Sequence, residues 1–139
     1  MKIINETIYL QTKGNNDIID ITHKVFELVE KSKIKNGTCV LFCVGSTAGI
    51  TTIEYEPGLL KDLPQLLNKL VPAGVTYHHD DIWGDGNGYA HLRSSLIKTS
   101  FTVPVVNGEL TLGTWQQIIF IDFDNRRRER KIVVQIMGE

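Results

Sequence analysis

The stretch Thr38-Cys39-Val40-Leu41-Phe42-Cys43-Val44 is almost continuously apolar, and Gly45-Ser46-Thr47-Ala48-Gly49 follows it directly. An apolar run of this kind is typical of a strand that is buried on both faces, so we expect a central strand here. The small and hydroxyl residues after it let a ligand approach the backbone, and their N–H and O–H groups suit phosphate or carboxylate oxygens. Tight packing against another strand or subunit explains the same residues equally well. No lysine follows, so the run is not a P-loop.

Strand and helix patterns alternate on the N-terminal side of this run. Lys2–Gln11 is rich in β-forming residues and predicts a strand. Apolar residues then recur every three or four positions over Ile18–Val29, which predicts an amphipathic helix. Asn16 or Asp17 supplies the N-cap and Asn36–Gly37 the stop.

The middle of the chain continues with a second strand, Ile50–Glu56. A leucine-spaced helix follows over Leu59–Leu70. Pro64 lies inside it and removes a backbone donor, so we expect a kink or two short helical pieces. Tyr77–Asn87 is polar, rich in glycine and without a clear period, which predicts an irregular functional loop.

The C-terminal half indicates a short helix at Ala90–Ile97 and then antiparallel sheet. Asn107-Gly108 is a strong hairpin signal because both residues tolerate positive φ. The predicted strands are Phe101–Val106, Glu109–Thr114, Gln116–Phe123 and Lys131–Met137. We therefore predict one α+β domain spanning residues 1–139, with largely antiparallel or mixed sheets in a sandwich-like arrangement and two or three helices.

The composition restricts the partners and the compartment. The 139 residues include 15 basic and 16 acidic side chains, a net charge of −1, which argues against general binding to nucleic acid or an anionic membrane. The apolar stretches are too short to cross a bilayer, and the N-terminus does not resemble a signal peptide. Cys39 and Cys43 would lie roughly 13 Å apart on a strand, too far for a disulfide. We expect two buried thiols in a cytoplasmic protein.

Histidines and acidic residues concentrate in the predicted loop. Neighbouring histidines on an extended segment point opposite ways, so at most one of His78 and His79 faces a common site. His91 is the natural second ligand of a two-histidine, one-carboxylate set for a divalent ion. The carboxylates that could complete the set are Glu54, Glu56 and Asp80. Helix capping and hydrogen bonding within a polar loop explain the same residues equally well.

Two further features carry candidate binding residues. The run Arg126–Lys131 is usual for a solvated turn at a hairpin tip, and alternatively its inward-pointing guanidiniums reach a phosphorylated ligand. Trp115 close to Gly113 is most simply a core or interface anchor, while Gln116 could orient a ligand. The chain has no Ser-His-Asp elbow, no cysteine-nucleophile motif and no dinucleotide fingerprint, so those reaction classes lose support.

Several short motifs occur in a specific order and spacing along nearly the whole chain. They are Ser46–Thr51, Glu54, His79-Asp80, Asn87, Ala90–Leu92, Ser94–Leu96, Pro104-Val105, Gly113–Gln116 and Gly138-Glu139. Together they closely resemble the YjbQ family. The resemblance implies an α+β fold, a homotrimer, and a pocket near the subunit interface that contains histidine and glutamate side chains. Members of that family carry the label secondary thiamine-phosphate synthase.

Carried over position by position, the resemblance implies a site for a divalent metal ion, Zn or Mg, at His79, His91 and Glu54. The same three residues would be catalytic together with Asp80, which would orient a histidine. The residues implied or suggested for binding a phosphorylated metabolite are Ser46, Thr47, Asn87, Gln116 and Arg130. The chain departs from the family pattern at Gly45-Ser46, where His-Thr is common, and at Ile53, where Asn is common.

Two function hypotheses follow. In the first, the protein joins a hydroxymethylpyrimidine diphosphate to a thiazole phosphate with metal assistance and expels pyrophosphate. In the second, it is a non-catalytic trimer that binds a divalent metal or a small anionic metabolite. Another metal-assisted reaction on a phosphorylated substrate also stays open.

Overall fold

Eight strands and four helices make up the chain, for which a computed structural model describes all residues, 1–139. The strands are β1 (Lys2–Thr12), β2 (Asp17–Asp20), β3 (Gly37–Cys43), β4 (Ala48–Ile53), β5 (Ser100–Val106), β6 (Glu109–Leu110), β7 (Gln117–Asp122) and β8 (Arg128–Gly138). The helices are α1 (Thr22–Ser32), α2 (Pro57–Leu70), α3 (His78–Trp83) and α4 (Gly88–Ile97). The α+β class is confirmed.

Two antiparallel sheets form the architecture. Five strands follow the order β1-β8-β3-β5-β6, and three follow the order β2-β7-β4. The facing sides of both sheets and the apolar stripe of α1 bury a main core, which includes Val25, Leu41 and Phe120. A smaller core lies on the other side of β7, where Ile119 and Ile121 pack with residues of α2 and α4. This layering confirms the predicted sandwich-like arrangement.

The strand that is buried on both faces is β7 and not β3. In β3, Cys39, Leu41 and Cys43 are fully buried, but Phe42 between them is 48% exposed. The five-stranded sheet packs on the core with one side only, and antiparallel sheets tolerate an open second face. The expected central strand is confirmed, because β3 is the middle strand of the five-stranded sheet. An uninterrupted apolar run does not mean two-sided burial here, and that part of the expectation is wrong.

The first helix begins later than its predicted N-caps, Asn16 and Asp17. Residues Asp17–Asp20 form β2, which pairs with β7 about a hundred residues away along the chain, and α1 starts at Thr22. The Asp20 carboxylate accepts hydrogen bonds from the N–H and the hydroxyl of Thr22. The local apolar spacing fits a helix, and only the distant partner strand makes this stretch extended.

The helices number four because the segment predicted as a loop contains α3. Asp80 accepts the N–H of Tyr77 at 2.9 Å and so caps this short helix, which ends at Gly84 in a left-handed conformation with φ 72°. The helix α2 runs through Pro64 as one element, so the alternative of two short pieces is wrong. None of the four helices has the length and hydropathy that a membrane span requires.

Candidate functional site

A cleft of about 490 Å³ opens where the turn before β4 meets α3, α4 and β8. The residues predicted for binding or catalysis that line it are Ser46, Thr47, His79, Asn87, His91 and Arg130. The other lining residues are Gly45, Trp83, Asp85 and Arg128. The fold thus brings most of the predicted residues to one place, from four separate stretches of the chain.

The two histidine rings lie against each other. His79 comes from α3 and His91 from the first turn of α4, and their ring centroids are 4.3 Å apart at an interplanar angle of 53°. His78, next to His79, is exposed and does not line the cleft. Burial lowers the pKa of His91, and the neighbouring His79 lowers it further. His91 is therefore a neutral imidazole at neutral pH.

Asp80 links α3 to α4 and makes no hydrogen bond to a histidine ring. Its carboxylate accepts the backbone N–H groups of Tyr77 and Gly88, each at 2.9 Å. These two bonds hold its pKa below the ordinary value. The residue that hydrogen-bonds the His79 ring is Asn87, whose Oδ1 lies 3.1 Å from His79 Nε2.

Asp124 anchors that asparagine. This fully buried carboxylate accepts hydrogen bonds from Asn87 Nδ2 at 3.2 Å, Thr47 Oγ1 at 3.0 Å and Arg128 Nε at 2.9 Å. An ionised carboxylate can only accept, so the amide nitrogen of Asn87 faces Asp124 and its oxygen faces His79. His79 Nε2 therefore carries a proton and donates to the Asn87 oxygen, and Asp85 Oδ1 lies 3.6 Å from the same nitrogen.

The charge of Asp124 is maintained in spite of its burial. Burial raises the pKa of Asp124, but hydrogen bonds from the Asn125 N–H and from Asn87, Thr47 and Arg128 outweigh it, and the pKa lies below its ordinary value. Asp124 and Arg128 form an ion pair at 2.8 Å, with the Arg128 side chain 31% exposed at the cleft.

Arg130 forms the floor of the cleft. Its Nε and Nη2 donate to the two oxygens of the buried Asp122 at 2.7 and 2.8 Å, and Nη2 also donates to Thr47 Oγ1 at 2.7 Å. Nη1 takes part in none of these bonds and lies beside Gly45, where an added Cβ would stand 2.9 Å from it. Gly45 thus leaves room for the guanidinium.

Glu54 and Gln116 lie away from the cleft. The strand β4 starts beside the cleft, with Ala48 opposite Asp122, and its far end, Ile53, pairs with Gln117. Six strand residues span about 20 Å, and Glu54 follows the last of them. The Gln116 amide contacts Thr52 and the N–H of Gly113 at the same far end.

A metal site does not form within one chain. No group of three His, Cys, Asp or Glu side chains lies close enough together to hold a metal ion. His79 and His91 meet without a third ligand, because Glu54 is at the other end of β4 and Asp80 binds backbone N–H groups. The residues present in one chain therefore do not fit the predicted two-histidine, one-carboxylate set.

Sequence reasoning missed Asp122 and Asp124, because it placed Asp122 in a strand without a role and Asp124 in a polar turn, which is usually solvated. It named Arg128 only as part of the run Arg126–Lys131. A signal was present in Ile121-Asp122-Phe123-Asp124, where two acids interrupt an apolar stretch just before a run of arginines. Acids in a buried strand need partners, and the adjacent guanidiniums provide them.

The comparisons with known proteins are consistent along the whole chain. Residues 6–139 match the family model described as UPF0047 protein YjbQ-like. A UPF0047 protein of Methanothermobacter thermautotrophicus is 39% identical over 139 residues, covering 100% of this chain and 95% of that protein. One from Archaeoglobus fulgidus is 41% identical over 124 residues, covering 89% of this chain and 94% of that protein.

Two solved structures have the same fold. A protein of unknown function from Sulfolobus solfataricus, described as YbjQ-like, superposes with a TM-score of 0.94 at 38% identity, covering 99% of each chain. A hypothetical protein from Aeropyrum pernix superposes with a TM-score of 0.91 at 32% identity, covering 98% of this chain and 99% of the other.

Proposed function

This chain belongs to the YjbQ-like UPF0047 family, and from that premise and the geometry of its cleft we propose that it binds a small phosphorylated metabolite there. The observation that carries the proposal is the convergence of N–H and O–H donors on one opening. Arg128, the free Nη1 of Arg130 and the hydroxyl of Ser46 line the cleft beside the two imidazoles. Guanidinium and hydroxyl groups are the donors that phosphate oxygens accept.

The shape of the cleft favours a ligand with an aromatic ring next to its phosphate. Trp83 lines the opening, and 73% of its surface is exposed. An indole in this position offers a face on which a planar ring stacks. The cleft therefore suits a phosphorylated heterocycle better than free phosphate.

Calorimetric titration with pyrophosphate tests the binding proposal. Replacing Arg128 by Gln removes a charged donor, a contact worth about 1.5–3 kcal/mol, so we expect the affinity to fall at least tenfold. Arg127→Gln is the matched control, because Arg127 lies in the same turn, is exposed and does not line the cleft. Equal affinity of both variants and the unchanged protein would contradict the proposal.

The second candidate is the thiamine-phosphate synthase reaction. In it the C–O bond of hydroxymethylpyrimidine diphosphate breaks, a C–N bond to the thiazole phosphate forms, and pyrophosphate leaves. The attacking thiazole nitrogen carries no proton, so the step needs donors for the leaving group and no base. The observation that favours it is that Arg128, Arg130 and the N–H of the His91 imidazole line one cleft, where they would stabilise pyrophosphate as it leaves.

An assay of thiamine phosphate formation by the purified protein separates the two candidates. If the reaction occurs, we expect His91→Ala to slow it by about a hundredfold. A rate that His91→Ala leaves unchanged would remove His91 from catalysis. Absence of product together with pyrophosphate binding would identify a binding protein.

We further propose that the protein assembles as a homotrimer in the cytoplasm. The open face of the five-stranded sheet supports assembly, because Tyr9 on β1, Phe42 on β3 and Val133 on β8 are exposed, and so is Val44, which follows β3. Phe42 and Val133 stand opposite each other across β3 and β8, and neighbouring exposed apolar side chains of this kind are usual for an interface. The free, buried Cys39 and Cys43, whose pKa values burial raises to about 11, suit a reducing compartment.

Metal binding is proposed only for that assembly, with Glu54 supplied to the histidines by a neighbouring copy. Glu54 is exposed, and its side chain makes no hydrogen bond or ion pair in the single chain. Elemental analysis of the purified trimer after incubation with zinc is the test. We expect zinc bound to the unchanged protein and lost in Glu54→Gln, with Glu109→Gln as the exposed control. Equal zinc content in both would contradict the metal site.

A further inference from the structure

A second cavity, of about 320 Å³, lies between α2, α4 and the turn before β2. Its polar lining consists of four amide side chains, one phenol and one guanidinium, those of Asn15, Asn16, Gln65, Asn68, Tyr89 and Arg93. No carboxylate lines it. The cavity shares no residue with the cleft that holds the histidines.

Arg93 is the charged group of this cavity, and only 2% of it is exposed. Its Nε and Nη2 donate to the carbonyl of Val71 at 3.0 and 2.8 Å, and Nη1 donates to Asn16 Oδ1 at 3.0 Å. A guanidinium has five N–H groups, so one remains on each terminal nitrogen. The ring of Tyr89 covers one face, with its centroid 4.9 Å from the guanidinium carbon.

The chain compensates this cation only in part. Val71 is the C-cap of α2, so its carbonyl belongs to the negative end of the helix dipole, which is equivalent to about half a charge. None of the ion pairs in the structure includes Arg93. Burial lowers the pKa of Arg93, and the groups that raise it are the two tyrosines Tyr89 and Tyr77, with no carboxylate among them. Buried charges in proteins are normally paired, whereas Arg93 is held by neutral oxygens alone.

Further donors around the cavity are free. The side-chain amides of Asn15 and Gln65 and the hydroxyl of Tyr89 make no hydrogen bond within the chain, and Asn68 uses only its oxygen, which accepts the N–H of Ala73. No buried side-chain polar atom in the protein lacks a partner, so these free groups are reached from the cavity or the solvent.

A backbone hydrogen bond holds the turn of Asn15 and Asn16, which forms one wall of the cavity. Asn15 and Asn16 both adopt left-handed backbone conformations, with φ 53° and 62°. The N–H of Asn15 donates to the carbonyl of Asp124 at 2.7 Å. This contact fixes the turn and keeps the Asn16 oxygen against the guanidinium, so the wall is already formed without a ligand.

We propose that the Arg93 cavity is a second anion site, which binds a small monocarboxylate. The planar guanidinium retains one N–H on each terminal nitrogen, and the two oxygens of a carboxylate match such a pair. A single cation surrounded by neutral amides and a phenol balances one negative charge, whereas a phosphate dianion would stay uncompensated. The free amides and the Tyr89 hydroxyl supply the polar contacts that orient the rest of the ligand.

Titration of the ¹⁵N-labelled full chain with acetate, followed by amide chemical shifts, tests this site. We expect saturable shifts at the backbone N–H groups of Asn16 and Ala73 and none at Ser46 and Thr47. Titration with pyrophosphate reports the cleft separately, through Ser46 and Thr47. A failure of one site is therefore distinguishable from a failure of the other.

Two variants make the test specific. Arg93→Lys keeps the charge and loses the paired N–H groups, and Tyr89→Phe keeps the ring over the guanidinium and loses only the hydroxyl. We expect acetate affinity to fall at least tenfold in the first and severalfold in the second, with Tyr55→Phe, outside the cavity, unchanged. The proposal is overturned if acetate causes no saturable shift at Asn16 and Ala73, or if Tyr89→Phe, whose fold the spectrum verifies, binds acetate as the unchanged protein does.

Discussion

At the scale of single residues, Asp124 connects the fold to the cleft. It is fully buried, and its oxygens hold Thr47, Asn87 and Arg128, which all line the opening. Through Asn87 it also sets which nitrogen of His79 carries the proton. The Asp124 carboxylate thus positions the Thr47 hydroxyl directly and the His79 imidazole through Asn87.

Replacing Asp124 by Asn tests this connection. The substitution keeps the size but removes the charge that Arg128 pairs with, so we expect a loss of roughly 3 kcal/mol in the free energy of unfolding, measured by urea denaturation. Asp62→Asn, at an exposed position of α2, should cost less than about 0.5 kcal/mol. A similar small change in both variants would show that the buried ion pair does not stabilise the fold.

The lowered pKa of His91 determines whether the free energy of unfolding rises or falls with pH. Its pKa in the folded protein is lowered by burial and by His79, so the unfolded chain binds this proton at a higher pH than the folded chain does. The free energy of unfolding should therefore be constant above the ordinary histidine pKa, about 6.5, and should fall as the pH drops below it.

Urea denaturation at a series of pH values from neutral to mildly acidic measures this effect. In His91→Gln the decrease over that range should be smaller, whereas His23→Gln, with its side chain 83% exposed in the native protein, should keep it. The lowered pKa values of Asp80 and Asp124 act in a separate, more acidic range, because both start from a lower ordinary value. An unchanged profile in His91→Gln would contradict the assignment.

At the scale of elements, the helices, strands and turns that depend only on nearby residues were predicted correctly from the sequence. The helix α4, most strands and the turn at Asn107-Gly108 follow from spacing and turn chemistry, and the structure has them close to the predicted bounds. The helix start at Thr22 did not follow, because β2 exists only through its pairing with β7. Likewise α3 depends on the Asp80 cap and on contacts with α4, which the polar composition of the segment does not reveal.

The candidate site divides in the same way. His79, His91, Asn87, Ser46, Thr47 and Arg130 were predicted and line the cleft. Glu54 and Gln116 lie at the far end of β4, and residue types alone do not show to which end of a strand a side chain belongs. Asp122 and Asp124 were missed because their burial results from the packing of two cores around β7.

The cap of α2 provides a prediction at this scale. The Glu56 carboxylate accepts the N–H groups of Gly58 and Leu59 at 2.8 and 2.6 Å. Glu56→Ala leaves both donors to water, so we expect a loss of about 1 kcal/mol in thermal or urea unfolding. Glu30→Ala, an exposed position near the end of α1, is the control and should be nearly neutral. Equal effects would argue against the cap.

At the scale of the whole molecule, the open face of the five-stranded sheet bears on assembly. Phe42 stands opposite Val133 across β3 and β8, and both are exposed in the single chain. If this face is the trimer interface, Phe42→Asp places a charge in an apolar contact, and sedimentation should show monomers. Phe26→Asp, 42% exposed on α1, is the matched control and should leave the trimer intact. Trimers in both variants would place the interface elsewhere.

The two-sided burial of β7 has a consequence for how the molecule opens. Its residues take part in both cores, and its edges pair with β2 and β4, so no neighbour can detach and leave it solvated while the rest stays native. Its amides should exchange with deuterium only through global unfolding and should be the slowest in the protein, while those of α3 exchange early. Exchange measured by mass spectrometry would show this order, and faster exchange in β7 than in β1 would refute it. Local opening around the cleft can then occur while β7 and the two cores that it joins stay intact.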